Sequence, residues 1–343
     1  MKRILLKIAP LLLATACLFL SSLQMWCAPP GKPSKSSAMR FDGYIVLPKH
    51  GTFLTFDYLS IANHELFAAA ENKGTIFKVK LDDKPAVLGE LKGPPSVHGA
   101  AVVPSRHLVF VSRGDKNVVD EFDSDTFQLV KSIPVATGPD AIIYDPTTAL
   151  VYVASGNAKT GTLIDPSSAT VLNSVRLPGE PEFPAVDVQT GLLYQNLADT
   201  NSVAAVDLSK GVIVGQWPLA ECRNPSGLAI DPVARRAFIG CLSNAKVVVF
   251  DLDRHQVLAV LKTGRWPDSV AFDPGLQRIY AASAAGTMTV IEQNSPDSYR
   301  LLGKVKTHFL AHTLAVDSAT HKVYVPYPGL FFHPRIAVFS PLP

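Results

Sequence analysis

The stretch from Gly138 to Pro178 reads GPDAIIYDPTTALVYVASGNAKTGTLIDPSSATVLNSVRLP. It holds four short apolar runs, Ala141-Tyr144, Leu150-Ala154, Thr162-Asp165 and Val171-Leu177. Each is rich in β-branched residues and bounded by turn residues, the pattern of strands. Asp145-Pro146 and Asp165-Pro166 are turn starters, because the carboxylate accepts backbone hydrogen bonds two residues on and Pro fixes φ. The stretch therefore reads as one four-stranded antiparallel meander, and the rest of the chain repeats it. Counterparts of Asp145 fall at Asp187, Asp231, Asp273 and Asp317, so four intervals span 172 residues with a mean of 43. Val103-Pro104 and Phe56-Asp57 occupy the same place upstream with weaker matches. A four-strand unit of about 40–45 residues is the size of a propeller blade. One blade cannot bury both faces of its sheet, so blades must stack around an axis.

Counting repeats gives blade 1 from Phe53 to Leu91, blade 2 from Ala100 to Val135 and blade 3 from Ala141 to Leu177. Blade 4 runs from Ala185 to Leu219, blade 5 from Leu228 to Lys262 and blade 6 from Val270 to Lys306. The last repeat has only three strands, Thr313-Asp317, Lys322-Pro326 and Arg335-Phe339, while Tyr44-Pro48 is a lone strand ahead of blade 1. The fold predicted is all-β: a seven-bladed propeller of four-stranded antiparallel blades over residues 41–343, its last blade closed by the N-terminal strand. Closure covers a sheet edge that would otherwise invite aggregation.

Residues 1–27 stand apart. Lys2, Arg3 and Lys7 precede an apolar run through Leu20 that is too short for a membrane span, which is the pattern of an export signal peptide. Cys17 after Leu13-Ala14-Thr15-Ala16 loosely matches a lipoprotein box, so a lipid-anchored form is the alternative to a free periplasmic or secreted one. Residues 28–40 are rich in Pro, Ser and Lys and read as a disordered tether. The whole chain has 32 basic and 29 acidic residues; without the three leader cations the balance is zero. No basic run remains, which disfavours nucleic acid as a partner. Cys222 and Cys241 are the only cysteines beyond the leader, and an oxidising compartment would join them in a disulfide.

Leu150-Val151-Tyr152-Val153-Ala154-Ser155, Arg278-Ile279-Tyr280-Ala281-Ala282-Ser283 and Lys322-Val323-Tyr324-Val325 fall at equivalent second-strand positions. With Cys222-Arg223-Asn224-Pro225-Ser226-Gly227-Leu228-Ala229-Ile230-Asp231 and Gly286-Thr287-Met288-Thr289-Val290-Ile291, they make the chain resemble the YVTN-repeat β-propellers, the YncE-like exported bacterial proteins. The resemblance covers about residues 41–343 and is weakest in blade 1; the literal Tyr-Val-Thr-Asn string is absent. It implies blade architecture and, for function, binding roles that in some members include nucleic acid.

In-register blades turn each repeat position into a ring. Five residues before the turn Asp, the ring is Asp140, Glu182, Ser226, Asp268 and His312, with His98 from blade 2 and Thr52, or nearby His50, from blade 1. These side chains are expected to line the mouth of the axial channel and to bind whatever ligand the protein takes, an unknown small molecule or protein. A divalent cation is compatible with such a set, but no spacing is diagnostic of a metal and no organic cofactor is expected. Hydration alone explains polar residues at a wet channel and is preferred here to a catalytic metal, with simple ligand binding preferred to chemistry. Trp266 beside Asp268 is a candidate aromatic wall, and Phe331 and Phe332 a candidate lid. Cys-x-x-Cys-His, Gly-x-Ser-x-Gly and P-loop motifs are absent, and only Trp217 and Trp266 lie beyond the leader, against c-type haem, serine-hydrolase, nucleotide and pyrroloquinoline-quinone chemistry. The reading is an exported, monomeric binding scaffold rather than an enzyme. A propeller-lactonase-type metal-dependent hydrolase and a nucleic-acid binder are the alternatives.

Overall fold

A computed structural model of the chain describes residues 38–49, 53–327, 329–330 and 334–343. The expected leader, most of the tether, His50, Thr52, Phe331 and Phe332 lie outside the described residues. The described part forms seven four-stranded antiparallel sheets. The innermost strands of blades 2 to 6 are Val97–Val103, Pro139–Asp145, Pro181–Asp187, Pro225–Asp231 and Pro267–Asp273. Each begins two to four residues before the apolar run that announced it, because the run starts only after the polar position facing the mouth. In blade 7 the innermost strand is Ala315–Asp317. It touches the innermost strand of blade 1, so the ring closes.

Closure follows the strand count. Met39–Val46 pairs antiparallel with Arg335–Pro341, in a register running from Met39 opposite Pro341 to Val46 opposite Arg335. The strand starts at Met39, so the propeller takes in two residues assigned to the tether. Among the described residues no helix is long and apolar enough to cross a membrane.

The core is divided among the interfaces between blades. Each of seven buried apolar clusters draws on two neighbouring blades. Between blades 3 and 4, for example, Ala141, Tyr152, Ala154 and Leu163 meet Leu193, Leu197, Ala204 and Val206. Strand residues are buried on both faces of the sheet, which is why the second strands read as continuous runs such as Leu150–Ser155.

The repeated Asp keeps its expected duty. Asp145 Oδ1 accepts the Thr147 amide at 2.8 Å, and Asp231, Asp273 and Asp317 accept amides two residues on at 3.0, 3.0 and 3.1 Å. All four are buried, so these bonds satisfy carboxylates that would otherwise be costly to desolvate.

Blade 1 differs from its sequence reading. Its strands are Leu59–Ala62, Glu65–Ala70, Thr75–Lys80 and Ala86–Lys92. Phe53–Leu54 is not its first strand but forms a two-residue ladder with Gly329–Leu330. The repeat signature misled here because the first hairpin of blade 1 has no turn Asp. Ala62 pairs with Glu65 across Asn63-His64, both with positive φ (49° and 58°), as a two-residue type I′ turn demands. Asp57, matched to the turn position, instead lies five residues before Ala62, at the mouth.

Candidate functional site at the axial mouth

The mouth lies where each innermost strand begins and each second strand ends, as Pro139 opposite Ser155 shows. With blade 1 placed correctly, the ring is Asp57, His98, Asp140, Glu182, Ser226, Asp268 and His312, one residue per blade. Asp57 takes the place expected of Thr52. The shifted alignment hid it; the signal that finds it is the second strand ELFAAA at Glu65–Ala70, which aligns with LVYVAS at Leu150–Ser155 and fixes the register backwards.

The ring is paired around its circumference. His98 Nδ1 lies 2.7 Å from Asp57 Oδ2 and 3.5 Å from Asp140 Oδ1, bridging blades 1 and 3, while its Nε2 lies 3.3 Å from Ser96 Oγ. Burial opposes charge on His98, but the Asp140 and Asp57 carboxylates outweigh it and raise its pKa to about 9. Across the mouth, His312 Nδ1 lies 2.6 Å from Asp268 Oδ2, and Ser226 Oγ donates to Asp268 Oδ1 at 2.7 Å. Burial opposes ionisation of both His312 and Asp268, yet each holds the other charged: the histidine pKa is raised and the carboxyl lies below its ordinary value. Ser226, which interrupts the acidic ring, therefore acts as a donor to its neighbour.

Two further features were not read from the sequence. Glu71, in the turn after the second strand of blade 1, has Oε2 buried without a hydrogen-bond partner among the described residues. Burial first, then the nearby Asp57 charge, pushes its carboxyl pKa up. In addition, polar residues next to last in second strands tie adjacent blades together at the ring: Ser112 Oγ donates to the Asp140 carbonyl, and Asn196 Nδ2 donates to the Ser226 carbonyl at 2.8 Å.

One residue inward from the ring, the blades contribute Tyr58, Gly99, Ala141, Phe183, Gly227, Ser269 and Thr313. Five are small and two are large, and the two large ones meet. Tyr58 and Phe183, from blades on opposite sides of the axis, have ring centroids 4.3 Å apart. They plug the channel beneath the mouth. Burial, then the charges of Asp140, Asp57, Glu182 and Asp268, raise the Tyr58 pKa well above its ordinary value, so its hydroxyl stays protonated under the acidic ring. At Gly227 the blades approach so closely that a Cβ would lie 2.5 Å from the Val270 amide nitrogen.

Trp266 sits two residues before Asp268 with a left-handed backbone (φ 59°), and Arg265 lies over its ring at 4.8 Å. The corresponding residues Ser96, Gly138, Asn224 and Leu310 are also left-handed, whereas Thr55 and Glu180 are not. In five blades this backbone turn leads the chain into the mouth, and a bulky residue there is costly unless the fold enforces it.

The charge state of His98 carries a pH dependence. Its folded pKa of about 9 exceeds the unfolded value of about 6.5. Its contribution to stability is therefore complete below about pH 6.5 and is lost as the pH rises through 9. The thermal midpoint of the wild type should fall across that window more steeply than that of His98→Gln. Equal slopes would show that His98 is not held charged.

No protein-family model matches the chain, and no curated protein matches it. Architecture and site geometry therefore define the class: a seven-bladed β-propeller with a polar, predominantly acidic axial mouth.

Proposed function

We propose that the protein is an exported binding scaffold of the YncE-like type that takes a cationic ligand at its axial mouth. The observation that carries this is the convergence of Asp57, Asp140, Glu182 and Asp268 on one axis against two imidazoles, His98 and His312. Like charges brought together in a partly desolvated site favour a cation. The buried, unpartnered oxygen of Glu71 beside Asp57 adds a further acceptor. Export is supported by the leader pattern and by the Cys222–Cys241 disulfide, which suits an oxidising compartment. The balanced charge beyond the leader argues against a nucleic-acid ligand.

The metal-dependent hydrolase is the second reading, favoured by one specific feature. Ligand atoms of Asp57, His98 and Asp140 all lie within 4.8 Å of one another, a set able to hold a divalent cation. Such an ion would act as a Lewis acid or activate water. For His98 to be a ligand, the proton held by Asp140 and Asp57 would first have to leave.

A ligand that binds only the folded chain raises its thermal midpoint. Spermidine and a panel of divalent cations should therefore be tested with wild type, Asp140→Asn and Asp268→Asn. The expected result is a rise for the wild type that is lost in both variants. A rise with the divalent ions alone would favour the hydrolase reading. No response to any cation would end the cationic-ligand proposal.

A further inference from the structure

Beneath the Tyr58–Phe183 plug, away from the acidic mouth, lies a second cavity of about 450 Å³. Its walls are the innermost strands of blades 1 to 4, with Leu59, Ile61, Val102, Ile142 and Phe183 among the lining side chains. No charged side chain is among the described residues lining it. The polar groups are few: the Ser60 hydroxyl is already committed to the Ala100 carbonyl at 2.8 Å, and Tyr58 and Tyr144 supply phenols.

The cavity has a local cause. Blades 3 to 7 each close their first hairpin on a buried aspartate, Asp145, Asp187, Asp231, Asp273 or Asp317. Blades 1 and 2 have Ala62 and Val103 at that position and no carboxylate there. The cavity walls at these two adjacent blades are apolar as far as Ala62 and Pro104, and Pro146 lines the cavity toward the turn of blade 3. The volume is in the range of pockets that bury a small organic molecule, about 300–1,000 Å³. Water in such a space finds few polar partners, so its displacement by an apolar ligand is favourable.

We infer that this cavity is a second binding site, distinct from the mouth, for an uncharged apolar organic molecule, aliphatic or aromatic, carrying at most a hydroxyl or carbonyl group. The sidedness follows from the plug. The acidic ring above Tyr58 repels anions and offers an apolar body nothing, whereas the chamber below offers apolar walls with phenol groups and no ionic partner. The inference does not depend on the cationic ligand proposed for the mouth.

The test uses the full chain and N-phenyl-1-naphthylamine, a neutral probe whose fluorescence rises in apolar surroundings. Saturable binding of one probe per chain is expected. Val102→Phe and Ala62→Phe, at half-buried wall positions, should each weaken it at least tenfold while leaving the circular dichroism spectrum unchanged. Asp140→Asn at the mouth should leave it within twofold of wild type. Leu172→Ser with Val214→Ser, on exposed aliphatic positions of outer strands, should do the same. Should the filling variants fail to fold, isoleucine methyl spectra of the wild type decide instead. The Ile61 and Ile142 methyls should shift with probe, and Ile336, buried between blades 7 and 1, should not. Unchanged binding in folded filling variants, loss of binding in the mouth or outer-strand variants, or unmoved Ile61 and Ile142 methyls would each overturn the inference.

Discussion

Deleting Met39–Val46 should abolish the folded monomer. The strand contributes Met39 and Ile45 to the core, both nearly inaccessible, and leads into buried Leu47. Burying such side chains is worth about 1.5–3 kcal/mol each. Two such side chains and the whole ladder to Arg335–Pro341 are lost outright, a loss comparable with the lower part of the stability range of a typical domain, about 5–15 kcal/mol. Tyr44 adds contacts that also depend on the strand, edge-on to Tyr327 at 5.6 Å and beneath Arg335 at 4.9 Å. The exposed edge left behind would carry Ile336, Ala337, Val338 and Phe339, a segment prone to pair with other chains. Size-exclusion chromatography should show aggregate instead of monomer. A permuted chain supplies the control, because the Leu342 amide donates to the Ala38 carbonyl at 2.9 Å and the chain end thus lies beside the start of the strand. Linking Pro343 to residue 38 and opening the chain between 49 and 53 should restore the monomer. A soluble deletion variant with the wild-type midpoint would show that the strand is dispensable.

Replacing both Cys222 and Cys241 with Ala should lower the thermal midpoint by about 5 °C. The disulfide joins residues 19 apart in sequence, with Cα atoms 5.1 Å apart. Closing a loop of that length restricts the unfolded chain by about 3 kcal/mol in the chain-entropy model. At an unfolding entropy of about 2.1 cal/mol/K per residue, that amounts to about 5 °C for a propeller of this size. The bond ties the connection between blades 4 and 5 to the second strand of blade 5, and both sulfurs sit in the core between those blades. Alanine is the informative replacement, because serine would bury two hydroxyls and add its own penalty. A peptide map of the protein purified and digested without reductant should recover the Cys222 and Cys241 peptides joined. Two separate alkylated peptides, or a midpoint unchanged by the double substitution, would contradict this account.

The acidic ring itself is a consequence of repetition, and that made most of it readable. Asp140, Glu182, Ser226, Asp268 and His312 all follow from counting back five residues from a recurrent aspartate, and His98 follows once Val103 takes that slot. Local chemistry determined the rest of the architecture too. Turn aspartates, β-branched runs and a mean repeat of 43 residues specify four-stranded blades, and a missing fourth strand beside a spare one specifies how the ring closes. Blade 1 escaped because its first hairpin turns on Asn63-His64 without the aspartate that marks the others, so the only signal of register lay in the strand that follows.

Which side chains meet between blades, around the axis or across it, is set by the tertiary structure. Period and spacing place one residue per blade on a ring, but they do not say which neighbours will pair. That His98 answers to Asp57 and Asp140, while His312 and Ser226 both answer to Asp268, depends on side-chain reach between strands about 40 residues apart in sequence. The same holds for Tyr58 and Phe183. Each is an ordinary aromatic residue in its own strand, and only ring closure brings the two within 4.3 Å to divide the channel into an acidic mouth and an apolar chamber. The blades, their number and their closure are legible along the chain, because those rest on local hydrogen bonding and periodic burial. The channel's chemistry was left to the tertiary fold, because it arises from contacts among side chains that no local pattern relates.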